Sequence, residues 1–255
     1  MKIKDARAIV TGGASGLGHA VAQRVIAEGG KAALLDVQDA AGTAAAKALG
    51  TNATFIRCDV TSESDVNAAV ATAQERIGAL NLVVNCAGVV GAGRVLGREG
   101  PMAGEFFTKV IHINLIGTFF VDKACASLMQ NNPANEDGER GLIIHTSSVA
   151  AFEGQIGQAA YSATKAGVMG MTLPMAREFA RVGIRVMAIA PGIFRTPMVA
   201  GMPDEVQKSL AAQIPFPSRL GKPEEYADLV VSIFQNPMLN GETIRLDGAI
   251  RMQPK

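Results

Sequence analysis

Cysteine is scarce. Cys58, Cys86 and Cys125 are the only three in 255 residues, and no two of them stand as a CxxC pair. An odd, widely spaced set builds no disulfide framework and fits a reducing compartment. Histidine is as sparse, and His19, His112 and His145 lack the spacing of metal ligands, so no metal site is expected. An excess of either charge is missing too: 24 Lys+Arg against 23 Asp+Glu leave a formal net charge of +1. No Lys/Arg run forms a stripe, which speaks against nucleic acid as a partner. No apolar run approaches the roughly 20 residues that a membrane span needs. Met1-Lys2-Ile3-Lys4 runs almost directly into Ala8-Ile9-Val10, leaving no room for a signal peptide. A cytoplasmic protein without a membrane partner is therefore expected.

What is present points to a packed globular chain. Hydrophobic residues make up 48% and charged residues 18%, which supports a sizeable core and excludes disorder. Abundant alanine and glycine with only 5% aromatics suit close packing of helices on a sheet. Short apolar runs recur at Ala8–Val10, Ala32–Leu35, Thr54–Ile56, Leu82–Val84, Leu142–Ile144, Val186–Ala190 and Thr243–Leu246. Stretches with helical spacing lie between them, among them Gly16–Glu28, Ala40–Leu49, Val66–Ile77 and Ala160–Ala180. Continuous apolar strands alternating with amphipathic helices predict an α/β fold with a parallel sheet buried on both faces. Right-handed crossovers make it doubly wound, of Rossmann type, with about seven strands in a single domain over residues 1–255. Two loops, Gly88–Gly104 and Pro191–Pro217, fall after strands on the carboxyl edge, where such sheets bind ligands. The second, with Met198, Met202 and Phe216, is read as a lid over substrate, against irregular packing as the plainer account.

Thr11-Gly12-Gly13-Ala14-Ser15-Gly16-Leu17-Gly18 follows the first apolar run and opens the first helical stretch. Gly12 suits a tight turn, Gly16 lets backbone approach a pyrophosphate, and Gly18 brings the helix close to the sheet. The helix N-terminal amides and dipole then face the phosphates. Any tight βα turn favours glycine, so this block alone is moderate evidence. Asp36 strengthens it, ending the second run 18 residues after Gly18, where an acid accepts the ribose hydroxyl hydrogens. A carboxylate there repels a 2′-phosphate, and neither Ala14 nor Ser15 offers a cation, so NAD is expected over NADP. Taken alone, an Asp at a strand end also caps helices.

Tyr161 and Lys165 stand four apart on a helical stretch, so both project from one face. A phenol with a pKa near 10 is a poor base at neutral pH. A neighbouring ammonium and a positively charged nicotinamide favour the phenolate, letting Tyr161 take an alcohol proton as hydride leaves. Ser148 lies 13 residues before Tyr161, just past an apolar run, where a hydroxyl can hold the reacting oxygen. Ser147 beside it is the competing choice. Asn114 sits inside a helical pattern, where a polar side chain can distort the helix and hold a water. Both Ser148 and Asn114 also read as satisfied polar groups near a helix end.

Five ordered blocks now resemble the short-chain dehydrogenase/reductase family from Lys2 to about Gly248. They are Thr11–Gly18, Asp59-Val60, Asn85-Cys86-Ala87-Gly88, Ser148 with Tyr161–Lys165, and Pro191–Thr196. The resemblance implies that Gly12, Ser15, Gly16, Leu17 and Gly18 cradle the pyrophosphate and that Asp36 binds the adenosine ribose. Asp59 and Val60 bracket adenine, while Cys86, Ala87 and Gly88 line the pocket, with Cys86 where the family more often has Asn. Tyr161 is the implied general acid/base, and Lys165 the residue that binds the nicotinamide ribose and lowers the tyrosine pKa. Ser148 steadies the substrate oxygen, Gln155 contacts substrate, and Asn114 supports a relay water. Phe194 and Thr196 hold the carboxamide. Ser148–Gln155, Pro215–Gly221 and Leu246–Pro254 resemble the type-2 3-hydroxyacyl-CoA dehydrogenases within that family. That implies NAD-linked oxidation of 3-hydroxyacyl-CoA by a homotetramer in fatty acid metabolism, with a hydroxysteroid or small secondary alcohol as the alternative substrate. Arg94 and Arg98 are candidates for the CoA phosphates, against a role as plain surface charges. A non-catalytic NAD-binding scaffold is the reading from another class, and the intact Tyr161, Lys165 and Ser148 weigh against it.

Overall fold

The apolar runs become strands because a segment covered by helices on both faces has no polar side to present. A computed structural model describes residues 1–254, with the backbone alone at Met198. The strands are β1 (Arg7–Thr11), β2 (Lys31–Asp36), β3 (Ala53–Arg57), β4 (Leu82–Asn85), β5 (Leu96–Gly97), β6 (Gly100–Pro101), β7 (Gly141–Thr146), β8 (Ile184–Pro191) and β9 (Thr243–Leu246). Seven form one sheet in the order β3-β2-β1-β4-β7-β8-β9, and β5 and β6 make a separate antiparallel hairpin. Every pairing in the large sheet is parallel, with Ala8 opposite both Ala32 and Leu82. Chain order reverses between β1 and β4, leaving a crevice at their carboxyl ends.

Alternate residues of β1 feed two cores. Ala8 and Val10 pack with Val21 and Val25 of α1 (Gly16–Ala27) and with Val230 and Phe234 near the chain's end. Ile9 points the other way, into Val66 and Val70 of α3 (Glu63–Ile77) and Val121 and Cys125 of α5 (Gly117–Met129). Helix α2 (Asp39–Leu49) completes the first half, and α4 (Gly104–Ile111) precedes α5. The long α6 (Ala159–Phe179) packs on β8. Between α4 and α5 the chain forms a π-turn at His112–Ile116, with Asn114 at its centre. The distortion expected at that polar residue is therefore present, and such turns recur at functional sites.

The segment expected as a loop over 191–217 contains two short helices. It carries α7 (Pro197–Ala200) and α8 (Asp204–Ala212), followed by α9 (Pro223–Gln235). Met202 reaches the crevice, but Phe216 is 82% exposed and does not line it, because its side chain turns to solvent. The side chain of Met198 lies outside the described residues. Among the described residues no helix is long and apolar enough to cross a membrane.

Candidate active site

The crevice is a cavity of about 1260 Å³, lined by residues from the glycine block at Gly12 through to Met252. Its floor at one end is the glycine block. Gly12 and Gly16 take positive φ, +63° and +58°, where a side chain would be strained. At Gly18 a Cβ would stand 2.5 Å from the Gly12 carbonyl oxygen, so only glycine lets α1 begin this close to β1. Ser15 occupies the N-cap position without a side-chain cap bond, which leaves its hydroxyl and the first-turn amides at the cavity. Thr11 ties the floor together, its hydroxyl oxygen accepting from the amides of Cys86 (3.1 Å) and Ala87 (3.0 Å).

Asp36 stands beside this block. Its carboxylate accepts the Ala14 amide at 3.2 Å and the Gln38 amide at 3.1 Å, so it braces the glycine turn while facing the cavity. Asp59 and Val60 line the same end. Thr61 donates to Asp59 through both its amide and its hydroxyl, which holds that carboxyl below its usual range.

At the other end β7 delivers Ser148 and α6 delivers Tyr161 and Lys165. Ser147 is spent on structure, since its hydroxyl donates to the Lys165 carbonyl at 2.9 Å. The Ser148 hydroxyl accepts the Ala150 amide at 3.1 Å and engages the phenol of Tyr161. Burial pushes the Tyr161 phenol up, and the contact with Ser148 partly offsets this. Lys165 is 6% exposed, its Nζ donating to the Thr146 carbonyl at 2.8 Å and lying 5.7 Å from the Tyr161 ring centroid. Desolvation lowers its pKa to about 8, with Cys86 opposing the shift weakly. An ammonium has three N–H donors, so two remain beyond the one that orients it.

Most of the candidate residues line this cavity. Gly12, Ser15, Gly16, Leu17, Gly18, Asp36, Asp59, Val60, Cys86, Ala87, Gly88, Ser148, Gln155, Tyr161, Lys165, Phe194 and Thr196 are all at its wall. Asn114 stands behind it. Its Oδ1 accepts the Val89 amide at 2.9 Å, while Nδ2 donates to the Val89 carbonyl and to Thr164 Oγ1. With that amide committed, the side chain clamps the Gly88–Val89 backbone from behind the cavity wall. Gln155 lines the cavity, yet its Nε2 is given to the Gln253 carbonyl at 3.0 Å. Arg94 and Arg98 are exposed and off the cavity wall. Residues that the sequence did not single out include Met252, Thr11 and the buried Tyr226, whose hydroxyl meets Thr146 Oγ1 at 2.7 Å. Of these only Thr11 carried a local signal, as the residue opening the glycine block.

The long cavity suits a dinucleotide. The glycines leave a backbone cradle that side chains would fill, and a carboxylate stands beside it.

Comparison with known proteins agrees with this geometry. A family model described as short chain dehydrogenase matches residues 6–207. The chain is 53% identical over 254 residues to the 3-hydroxyacyl-CoA dehydrogenase type-2 of Drosophila melanogaster, covering 99% of this chain and 100% of the relative. It is 53% identical to the protein of the same name from Homo sapiens, covering 99% and 97%. The crystal structure of 3-hydroxyacyl-CoA dehydrogenase type-2 from Mycobacterium avium superposes with a TM-score of 0.95 at 43% identity, covering 99% of this chain and 98% of that one.

Proposed function

The chain belongs to the short chain dehydrogenase family, and on that footing we propose that it reversibly oxidises 3-hydroxyacyl-CoA to 3-ketoacyl-CoA with NAD. The observation that carries the reading is convergence: Ser148, Tyr161 and Lys165 meet at one end of a cavity whose other end offers a phosphate cradle and Asp36. The relatives that match across the whole chain bear the name of that activity.

Gly12, Ser15, Gly16, Leu17 and Gly18 hold the pyrophosphate, Asp36 the adenosine ribose, Asp59 and Val60 the adenine side, and Phe194 and Thr196 the carboxamide. Bound there, NAD supplies the hydride acceptor. Ser148 holds the alcohol oxygen beside the phenol, and Tyr161 removes its proton in oxidation or returns it in reduction. Lys165, fixed by the Thr146 carbonyl, has donors left for ribose hydroxyls and places positive charge near the phenol, favouring phenolate. Asn114 acts from behind by holding the Gly88–Val89 wall.

The three free thiols fit a reducing cytoplasm. Exposed Phe107 of α4, Phe119 of α5 and Leu173 of α6 lie on helices that pack over the same sheet face and fit assembly into a homotetramer. The testing experiment follows absorbance of reduced cofactor with acetoacetyl-CoA, longer 3-ketoacyl-CoAs and a 3-ketosteroid in parallel, using NADH and then NADPH. Efficient turnover of the thioesters, with NADH well ahead of NADPH, is expected. Activity confined to the steroid would overturn the substrate, and equal use of NADPH would overturn the role of Asp36.

A further inference from the structure

The carboxylate of Glu153 gathers partners from a distant part of the chain. Arg245 donates to it through Nη1 at 2.8 Å and Nη2 at 3.2 Å, and the Met252 amide donates to Oε2 at 3.2 Å. Arg251 pairs with it at 3.4 Å. Arg245 also reaches Asp247 at 2.7 Å and the Ile250 carbonyl at 3.0 Å, and its guanidinium lies 4.9 Å over the Phe152 ring. Two further bonds fasten the tail to the turn after Glu153: the Ile156 amide to the Pro254 carbonyl and Gln155 Nε2 to the Gln253 carbonyl, each at 3.0 Å. Residues 249–254 are thus laid across the segment that follows Ser148.

This tail has a small core of its own. Ile250 is fully buried with Val149 and Ile214, and Met252 and Ile193 pack against them. Val149 neighbours Ser148, and Ile193 neighbours Phe194, so the cluster joins the two segments that border the reacting end. Met252 is the residue of this tail that lines the cavity. We propose that residues 249–254 are a strap forming the substrate-end wall, and that Met252, positioned by Glu153, sets the size of acyl group accepted.

The chemistry fits that task. A bidentate Arg–carboxylate pair inside a network of several partners holds geometry better than an isolated surface pair. A thioether side chain is unbranched and adapts its shape to what it contacts. One methylene more or less in an apolar site changes discrimination by roughly 10–200-fold.

The strap rests on the acyl-CoA reading only for the choice of substrate series. The test compares Met252→Ala and Met252→Phe with the native protein, taking the ratio of kcat/KM for a long or branched 3-ketoacyl-CoA to that for acetoacetyl-CoA. Met252→Ala is expected to raise this ratio about 10-fold and Met252→Phe to lower it, with NADH affinity by fluorescence unchanged because the cradle is at the other end. Glu153→Gln is expected to raise KM for all chain lengths several-fold, again with NADH affinity retained. Ratios within twofold of native in both Met252 variants overturn the proposal. A native protein that reduces other ketones but no acyl-CoA removes the substrate reading alone, and the same ratio over a size series of those ketones then judges the strap.

Discussion

Tyr161 is asked to act as a base where burial disfavours its charged form. Ser148 offsets part of that cost, and in the proposed mechanism the rest falls to the Lys165 ammonium and a positive nicotinamide. Replacing Tyr161 by Phe removes the proton carrier and leaves the cradle untouched. Turnover is expected to fall by roughly two to four decades while NADH binding, followed by fluorescence, stays near native. Turnover within tenfold of native would refute the assignment. At this scale the sequence was informative wherever a residue's place follows from the block that announces it: Asp36 and Lys165 both stand at the cavity wall. It was silent where a side chain's partners lie far off in the chain. Asn114 is a polar residue in a helical pattern, but nothing local reveals that its amide spends itself on Val89, 25 residues away. Glu153 and Met252 fall in blocks marked only by resemblance, and nothing local shows that they meet across 99 residues.

Elements were legible in proportion to their burial. The seven strands stand where continuous apolar runs stand, since a strand covered on both faces must be apolar throughout. Helices α7 and α8 escaped notice for the converse reason: α8 has no buried residue and therefore no apolar stripe to display. Pro197 and Pro203 looked like loop residues, yet they sit at the start of α7 and at the N-cap of α8, positions that proline tolerates because no amide is needed there. Helix α9 begins on a charged clasp. Arg219 donates twice to Glu225, at 2.9 and 2.5 Å, and the Lys222 amide donates at 2.8 Å. These bonds lower the Glu225 pKa from 4.5 to about 2. A depressed carboxylate stabilises the fold above its unfolded value and loses that contribution as pH falls through the folded one. Glu225→Gln is expected to lower Tm at pH 7 by roughly 1–3 °C, the modest effect of a largely exposed pair. The gap to native should narrow between pH 4.5 and pH 2. A gap independent of pH would show that the charge contributes nothing.

Across the whole molecule one buried polar chain links four elements. Asn85 of β4 donates to Asp122 of α5 at 2.7 Å, Asp122 meets His145 of β7 at 2.8 Å, and His145 meets Thr172 of α6 at 3.0 Å. Asp122 and His145 are wholly buried. Thr146, next to His145, supplies the carbonyl that holds Lys165, so the chain underlies the catalytic end. Removing one member leaves the other buried without its partner. Asp122→Leu is therefore expected to cost about 3–5 kcal/mol in urea unfolding, and adding His145→Phe to recover much of it. A single-variant loss below about 1 kcal/mol would mean that water or a rearranged neighbour replaces the carboxylate.

The strand order also has a history written into it. The first four strands to emerge already lie side by side as β3-β2-β1-β4, and β7, β8 and β9 then join at one edge in the sequence in which they occur. Growth is accretion at a single open margin, and each newcomer finds its neighbour in place, so no strand must be inserted between two that have already paired. Long-range parallel pairing is slow because closure precedes reward, and the widest closure in this sheet is the meeting of β1 with β4, Ala8 opposite Leu82. The glycine block and its crevice thus belong to the half of the sheet that chain order completes first, while Ser148 and Tyr161 come from segments that follow β7.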